Sequence, residues 1–223
     1  CSSDLPTLAA PTMDGAMETK IKAGLAGPEH SAGKARDAYR HPLETLKFFG
    51  LKSGATVMEI WPGGGWWTNF LAPAIAATGG TYIAAPANND TGEGAKPIRE
   101  MAEKHPDLYG KIKIAPFSDG KLKNVAPNSV DLVMTFRNIH NWMGDGVAKP
   151  MFDAMFVAVK PGGYLGVEEH RAKADTAQDP KADSGYVRED FAIKLIESAG
   201  FKLVAKSEIN ANPKDTKDYP KGV

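Results

Sequence analysis

Six short apolar segments of the chain alternate with segments in which apolar residues recur at helical spacing. The apolar segments predict strands because they are rich in Val, Ile, Tyr and Phe and are bounded by Gly, Pro and Asn. They span residues 56–61, 81–85, 111–117, 129–136, 162–170 and 201–209. The helical segments span residues 66–78, 92–104, 145–159 and 188–199. This alternation predicts the α/β class, with a mainly parallel central sheet and helices on both faces.

The N-terminal part of the chain predicts a helical cap. Residues 34–49 have helical spacing, interrupted by one proline, and Gly50 follows as a C-terminal stop. We expect a single domain over residues 18–223, with residues 18–50 as its cap. Residues 1–17 are small, polar and aperiodic, which is typical of a flexible tether.

The chain begins with Cys1, which is its one cysteine. A single cysteine excludes an internal disulfide and a cluster of thiolate ligands. A cysteine directly ahead of a polar tether is typical of a bacterial lipoprotein cut from its signal segment. We therefore expect a periplasmic protein that contacts a membrane only through a lipid on Cys1. If Cys1 is merely the point at which a longer sequence was cut, a cytoplasmic location is expected instead.

The charge balance narrows the classes of partner. Lys and Arg total 27, and Asp and Glu total 27, so the formal net charge is zero. A chain without excess positive charge lacks the electrostatic footprint of a nucleic-acid-binding protein. Its five histidines show no H-x-x-x-H spacing, so we expect no metal. A small molecule is the expected ligand, and a monomer is the expected state.

A glycine-rich loop follows the first predicted strand. It reads Glu59-Ile-Trp-Pro-Gly-Gly-Gly65 and leads into a predicted helix. In open α/β sheets, ligands bind beyond the carboxyl ends of the strands. Glycines there let the backbone approach a ligand, and the helix directs free N–H groups at it. The loop lacks the third glycine of a dinucleotide fingerprint, which argues against a nicotinamide-dependent oxidoreductase.

Four stretches of the sequence resemble the class I S-adenosylmethionine-dependent methyltransferases. EIWPGGG resembles the first motif of that fold, and FSDGKLKNVAPNSVDLVMTF resembles the segment leading into its fourth strand. VKPGGYLGVEEH and GYVREDFAIKLIESAGFKLV resemble its fifth strand and the helix and strand that follow. More narrowly, YRHPLETLKFFGLKSG followed by EIWPGGGW resembles a bacterial family of predicted methyltransferases. The resemblance covers residues 34–223 and implies a Rossmann-like methyltransferase fold and methyl transfer from S-adenosylmethionine to a small molecule.

The resemblance also implies which residues hold the methyl donor. Glu59 would bind the amino group of the donor, although a carboxylate here could also serve as a turn or capping group. Asp119 would accept a hydrogen bond from the adenine amino group, with the same alternative. The candidates for cofactor binding are Glu59, Gly63, Gly65, Asp119, Gly120 and Arg137.

Polar side chains follow the fourth and fifth predicted strands, whose ends we expect to face one pocket. His140 and His170 are the candidate catalytic bases, because histidine titrates near neutral pH. The alternative for each is a plain hydrogen bond to a loop. Residues 39–41 either close the pocket as a lid or form a solvated helix face with the tyrosine packed on the core. The candidates for substrate binding are Tyr39, Arg40, His41, Asn141 and Arg171.

Two positions depart from the methyltransferase pattern and favour a second hypothesis. Trp61 stands where the first glycine of the motif is usual, and Pro86 stands where an acid usually grips the ribose. Asn88, Asn89 or Asp90 could take the place of that acid. The second hypothesis is an exported, non-enzymatic protein that keeps the fold and binds another ligand. Trp61 filling the space of the donor would favour it.

Overall fold

The structure, a computed structural model, describes residues 12–87 and 92–223. Three sequence predictions lie outside these ranges: the lipid on Cys1, the first eleven residues of the tether, and the ribose contact from residues 88–90. They stay predictions. No helix within the described ranges is both long and apolar enough to cross a membrane.

A five-stranded parallel sheet forms the centre of the described residues, with the strand order β3-β2-β1-β6-β7. A two-residue turn joins β4 and β5 into a separate antiparallel hairpin. The strands are β1 (Thr56–Ile60), β2 (Thr81–Ala85), β3 (Lys113–Ile114), β4 (Phe117–Ser118), β5 (Lys121–Leu122), β6 (Val130–Phe136) and β7 (Val159–Glu168). The predicted α/β class and mainly parallel sheet are confirmed.

Helices cover both faces of this sheet. Short 3₁₀ helices at Pro28–Arg36 and Glu93–Ala95 precede two of them. The α-helices are α1 (Gly15–Ala26), α2 (Asp37–Arg40), α3 (Pro42–Phe49), α4 (Thr68–Ala77), α5 (Lys96–Lys104), α6 (Pro106–Tyr109), α7 (Ile139–Gly144), α8 (Ala148–Ala158) and α9 (Glu189–Ser198).

Strand β1 is buried on both faces of the sheet, as its parallel neighbours require. Because side chains alternate along a strand, Val57 and Glu59 point to one face, while Met58 and Ile60 point to the other. Val57 belongs to the core cluster formed with α1, α3 and α4. Met58 and Ile60 belong to the cluster formed with α7 and α8. Glu59 is therefore a carboxylate on an otherwise apolar core face.

The cap packs on the first of these clusters. Met17 and Ile21 of α1 are fully buried there. Asp14 caps α1 by accepting from the Met17 N–H at 3.0 Å, and it also accepts from the backbone and hydroxyl of Ser53. These hydrogen bonds lower the pKa of Asp14 to about 2, and the two from Ser53 have the largest effect. The helix thus begins at Gly15, slightly before the boundary predicted at residue 18.

The break predicted within residues 34–49 occurs between α2 and α3. His41 connects the two helices with a left-handed φ of 38°. Pro42 is the first residue of α3, where its missing N–H is not needed. Gly50 ends α3 with a φ of 70°, so the predicted stop is confirmed.

The sixth predicted strand is wrong. Residues 201–209 contain no strand, and no described strand pairs with the free edge of β7. Leu203 is 50% exposed and Val204 is 38% exposed, so neither face of the segment is buried. Alternating residue types indicate only a local preference, and a strand also depends on packing of its side chains against neighbours, which this segment lacks.

Helix α4 contains Pro73, which has no N–H to donate to the carbonyl of Asn69 four residues earlier. The hydroxyl of Tyr109, at the end of α6, donates to that carbonyl at 3.0 Å. A neighbouring side chain thus replaces the helical hydrogen bond. Burial, followed by the charges of Glu29 and Asp107, raises the pKa of Tyr109 to about 12, so the hydroxyl keeps its proton.

Candidate functional site

A cavity of about 750 Å³ lies beyond the carboxyl ends of β1 and β6. The glycine loop and Glu59 line it from the side of the sheet, and the cap lines it through the 3₁₀ helix Pro28–Arg36 and Arg40. Helix α5 contributes Met101 and Lys104. This is the edge at which open α/β sheets bind ligands, and the volume is within the usual range for small-molecule sites.

Glu59 is the buried carboxylate of this cavity, with 1% of its surface exposed. One carboxylate oxygen accepts hydrogen bonds from the hydroxyls of Tyr82 on β2 and Thr68 on α4. Burial raises the pKa of Glu59 to about 7, against the opposing effect of these two donors and of the Arg40 charge. The carboxyl group therefore titrates near neutrality, and a cationic group brought next to it would favour the ionised form.

The glycine loop leaves space above its backbone. Gly63 has a φ of 56°, and a Cβ atom added to it would meet nothing within 4 Å. Gly65 has a φ of 78°, and its added Cβ would meet the Met101 sulphur at 2.7 Å. Both angles lie in the left-handed region that favours glycine, and Gly63 also opens directly onto empty space. A ligand can therefore approach the backbone closely at Gly63.

Trp61, which stands where the resembled methyltransferase motif usually has its first glycine, has a left-handed φ of 49°. Its indole N–H donates to the Phe117 carbonyl at 2.8 Å, and its ring packs edge-on against Trp142 with the centroids 5.8 Å apart. These contacts turn the indole toward the β4–β5 hairpin and α7. The cavity above Gly63 and Gly65 stays open beside it.

Three arginines line the same cavity: Arg36, Arg40 and Arg137. The Arg40 guanidinium lies over the Trp66 ring, 4.4 Å from its centroid. Burial, followed by the positive charges of Arg137 and Arg36, lowers the pKa of Arg40 to about 10. The three guanidinium charges therefore repel one another on this side of the cavity.

Glu168 and Asn210 connect this cavity to the C-terminal segment. Arg137 approaches the Glu168 carboxylate at 3.5 Å, and the Asn210 amide donates to it at 2.6 Å. The same amide donates to Thr45, and its oxygen lies 2.9 Å from the His41 ring. Burial raises the pKa of Glu168, although Arg137 opposes this. Sequence reasoning missed both residues, since an acid within a strand and an asparagine in a polar segment carry no distinctive pattern.

The predicted bases lie on the other side of Trp61. His140 lines a second cavity of about 510 Å³ together with Asn141, and Trp61 lines both cavities. The His140 ring lies 2.9 Å from the Glu169 carboxylate and 5.9 Å from the His170 ring, so the two strand ends do meet. Burial lowers the pKa of His170. The base role of either histidine stays a prediction.

Asp119 and Gly120 form the two-residue turn between β4 and β5. Their φ angles of 52° and 72° are those a tight hairpin requires. An added Cβ on Gly120 would lie 2.6 Å from Pro150, so close packing also requires this glycine. Neither residue lines the two cavities. The turn accounts for both residues structurally, and their contact with adenine stays a prediction.

The remaining substrate candidates lie apart from the cavities. Tyr39 is 79% exposed and does not pack on the core. His41 holds Asn210, as described above. Arg171 donates to Glu189 at 3.0 Å and to both oxygens of Glu208. These ion pairs fix the end of β7 to α9 and to the C-terminal segment.

Sequence reasoning also missed Arg36, Tyr82 and Thr68. Tyr82 lies in a predicted strand two places from the residue that pairs with Glu59, so the diagonal across two parallel strands could have identified it. Thr68 begins the helix after the glycine loop and faces the same carboxylate. Arg36 had no signal of its own, because its position depends on how the cap folds over the sheet.

Known structures resemble this architecture over most of the chain. An S-adenosylmethionine-dependent methyltransferase from Aquifex aeolicus matches with a TM-score of 0.60 and 21% identity, over 83% of this chain and 88% of that one. An arsenic(III) S-adenosylmethionine methyltransferase from Chlamydomonas reinhardtii matches with a TM-score of 0.55 and 15% identity. The match covers 81% of this chain and 61% of that one.

A third match is the phosphoethanolamine N-methyltransferase 2 from Haemonchus contortus, which was solved with phosphomonomethylethanolamine and S-adenosylhomocysteine. Its TM-score is 0.55 and its identity 16%, and the match covers 81% of this chain and 44% of that one. No family model matches the chain, and no curated protein sequence is significantly similar to it. The narrower resemblance to a bacterial family with the EIWPGGGW motif therefore stays a prediction. At these identities the likeness is one of fold: the chain has the Rossmann-like fold of the class I S-adenosylmethionine-dependent methyltransferases.

Proposed function

We propose that the protein transfers a methyl group from S-adenosylmethionine to a small molecule. The observation that carries this proposal is the buried carboxylate of Glu59 at the floor of an open cavity, beside a glycine loop on the carboxyl edge of a parallel sheet. The partners of Glu59 among the described residues, Tyr82 and Thr68, are neutral hydroxyls, and a buried ionised carboxylate costs free energy without an adjacent counter-charge. An ammonium group of a bound donor would provide one.

The residues of the cavity fit this donor. Glu59 would hold the amino group, and the space above Gly63 accommodates a chain that lies against the backbone. The hydrogen bonds from Tyr82 and Thr68 orient the carboxylate before any ligand arrives. S-adenosylmethionine, when bound, supplies an electrophilic methyl group on a sulfonium sulphur. The protein then has to hold the acceptor in line with that methyl group and exclude water.

The position of Trp61 supports this function over a non-enzymatic role. The indole is turned against Phe117 and Trp142, so it does not fill the cavity above the glycine loop. The structural neighbours named above are S-adenosylmethionine-dependent methyltransferases, which supports the same conclusion. A periplasmic location and a lipid on Cys1 remain separate proposals.

Thermal unfolding with and without ligand tests this function. S-adenosylmethionine and S-adenosylhomocysteine should each raise the melting temperature of the wild-type protein, because a ligand that binds only the folded state stabilises it. NAD serves as the control nucleotide and should give no shift. Glu59→Gln should reduce the shift, whereas Glu197→Gln, at an exposed site on α9, should keep it. A shift with NAD alone would contradict the proposal.

A further inference from the structure

The second feature of the cavity is its arginine cluster, defined here as Arg36, Arg40 and Arg137. The three side chains come from separate parts of the fold: the end of the 3₁₀ helix, α2, and the residue after β6. Building on the proposed methyl transfer, we infer that the arginine cluster binds a carboxylate or phosphate group of the methyl acceptor.

The three guanidinium groups of the cluster outnumber the carboxylates paired with them. Among the described residues, no carboxylate forms an ion pair with Arg36 or Arg40. Glu168 lies 3.5 Å from Arg137, and it also accepts a hydrogen bond from Asn210. Glu168 and Glu59 attract Arg40 at longer range, but three positive charges with one ion-paired carboxylate leave an excess of positive charge that a bound anion would reduce.

The guanidinium of Arg40 is held in place by the protein. It lies 4.4 Å above the Trp66 ring, and the Trp66 indole N–H donates to the Gly33 carbonyl at 3.0 Å, which fixes that ring. A planar guanidinium fixed in this way presents its N–H groups as a fork, which matches the oxygens of a carboxylate or phosphate. A mobile surface arginine loses side-chain entropy when it binds an anion. Arg40 has lost much of that entropy on folding, so anion binding costs it less.

Other charged residues also line the cavity, among them Lys104 on α5. Glu59 is at the floor, on β1, and Glu100 is on α5. Glu29 lies at the start of the 3₁₀ helix and contacts His105 at 3.6 Å. The three arginines come from the cap and the end of β6, whereas Glu59 lies at the floor, where the donor's ammonium group is proposed to bind. The anion that the cluster takes is accordingly assigned to the second reactant.

Binding of small aromatic anions tests the inference. Phenyl phosphate and benzoate are the probes, since Trp66 and Trp67 also line the cavity, and benzamide is the neutral control. We expect both anions to raise the melting temperature of the wild-type protein and benzamide to leave it unchanged. Arg40→Gln should weaken the affinity for phenyl phosphate by about tenfold or more, since a charge-assisted bond is lost.

A control variant and a second variant of the arginine cluster complete this binding test. Arg99→Gln removes an exposed arginine on α5 that lines neither cavity, so it should bind the probes like the wild type. Arg36 is exposed at the end of the 3₁₀ helix, so Arg36→Gln should fold even if Arg40→Gln does not. It should also weaken phenyl phosphate binding. Equal binding by the wild type, Arg36→Gln and Arg40→Gln would overturn the inference.

Repeating the titration with saturating S-adenosylhomocysteine distinguishes the two reactants. If the anion belongs to the acceptor, phenyl phosphate still binds with S-adenosylhomocysteine in place. If S-adenosylhomocysteine displaces the probe, the cluster holds the donor's own carboxylate and the inference is wrong. Arginine-dependent anion binding without any binding of S-adenosylhomocysteine would support the anion site while contradicting the proposed methyl transfer.

Discussion

The hydroxyl of Tyr82 donates a hydrogen bond to the carboxylate of Glu59 across the boundary between β2 and β1. The register pairs Glu59 with Ala84, so Tyr82 reaches the carboxylate diagonally on the same face of the sheet. Both side chains are buried, and the pKa of Tyr82 is raised well above its ordinary value by burial and then by the Glu59 charge. The Tyr82 proton therefore stays in place while Glu59 changes charge.

We expect Glu59 to make stability depend on pH. The carboxyl group titrates near pH 7 in the folded protein, against an ordinary value of 4.5, so the folded state holds the extra proton between these values. Its stabilising contribution is full below pH 4.5 and falls by about 3 kcal/mol as the pH rises through 7. Glu59→Gln should lose this dependence. Urea unfolding of both proteins at about pH 5 and about pH 8 measures it.

The difference between the two proteins isolates Glu59, because Glu168 and His170 titrate in both. Burial raises the pKa of Glu168 and lowers that of His170, so these groups add slopes of opposite sign to wild type and variant alike. An identical dependence of unfolding free energy on pH in wild type and Glu59→Gln would contradict the buried, neutral carboxyl group.

Gly63→Ala should abolish binding of S-adenosylhomocysteine while costing little stability. The new Cβ would project into the cavity, and the left-handed backbone angle costs about 1 kcal/mol. Gly54→Ala is the matched control: Gly54 has a φ of 75° and equally open surroundings, but it lies away from the cavity. Calorimetric titration of both variants should find binding only in Gly54→Ala. Loss of binding in both would indicate that strain, rather than the cavity, is responsible.

Tyr109→Phe should lower the free energy of unfolding by about 1–3 kcal/mol, since it leaves the Asn69 carbonyl without its donor. Pro73 cannot replace that donor. Tyr39→Phe, at an exposed hydroxyl, should leave stability unchanged. Chemical denaturation measures both effects. If Tyr109→Phe is as stable as the wild type, the carbonyl finds another donor and the compensation for Pro73 is not required.

Asn210→Ala should destabilise the contact between the C-terminal segment and the cap. Asn210 donates to Glu168 and Thr45, so its loss leaves a buried carboxylate short of a donor, at a cost of about 1–3 kcal/mol. Asn212→Ala is the control, because Asn212 is exposed and bonds only within its own turn. Limited proteolysis within residues 201–223 should be faster in Asn210→Ala than in the control. Equal rates would mean that Asn210 does not hold the segment.

Much of the fold could be predicted from local pattern. The alternation of apolar runs and helical spacing located β1, β2, β6 and β7, with β1 ending one residue before its predicted end, but the strand predicted over 111–117 is only two residues long. Residues 201–209 were predicted wrongly, since their exposed side chains lack the packing on which a strand also depends. Helix α7 was also missed. It has only six residues, which is too few to show a helical period, and its apolar side chains are buried through contacts with α8.

Part of the lining of the first cavity could be predicted from the glycine loop, a strand end and the cap. Glu59, Gly63, Gly65, Arg40 and Arg137 do line one cavity, because the edge of a parallel sheet brings successive strand ends together. Asp119 and Gly120 were assigned through the resemblance to methyltransferases, and the structure places them in a hairpin turn that the resemblance did not predict. The contacts of Arg36 and Asn210 depend on how the cap and the C-terminal segment fold over that edge.

Calorimetric titration of S-adenosylhomocysteine into the wild-type protein tests the central claim most directly. We predict saturable binding at one site, with affinity that weakens as the pH falls below 7 because protonated Glu59 no longer attracts the ligand's ammonium group. The same titration of Glu59→Gln should be weaker and independent of pH over this range. Absence of binding at millimolar ligand, in a wild-type protein that unfolds cooperatively, would contradict the donor site and the proposed methyl transfer.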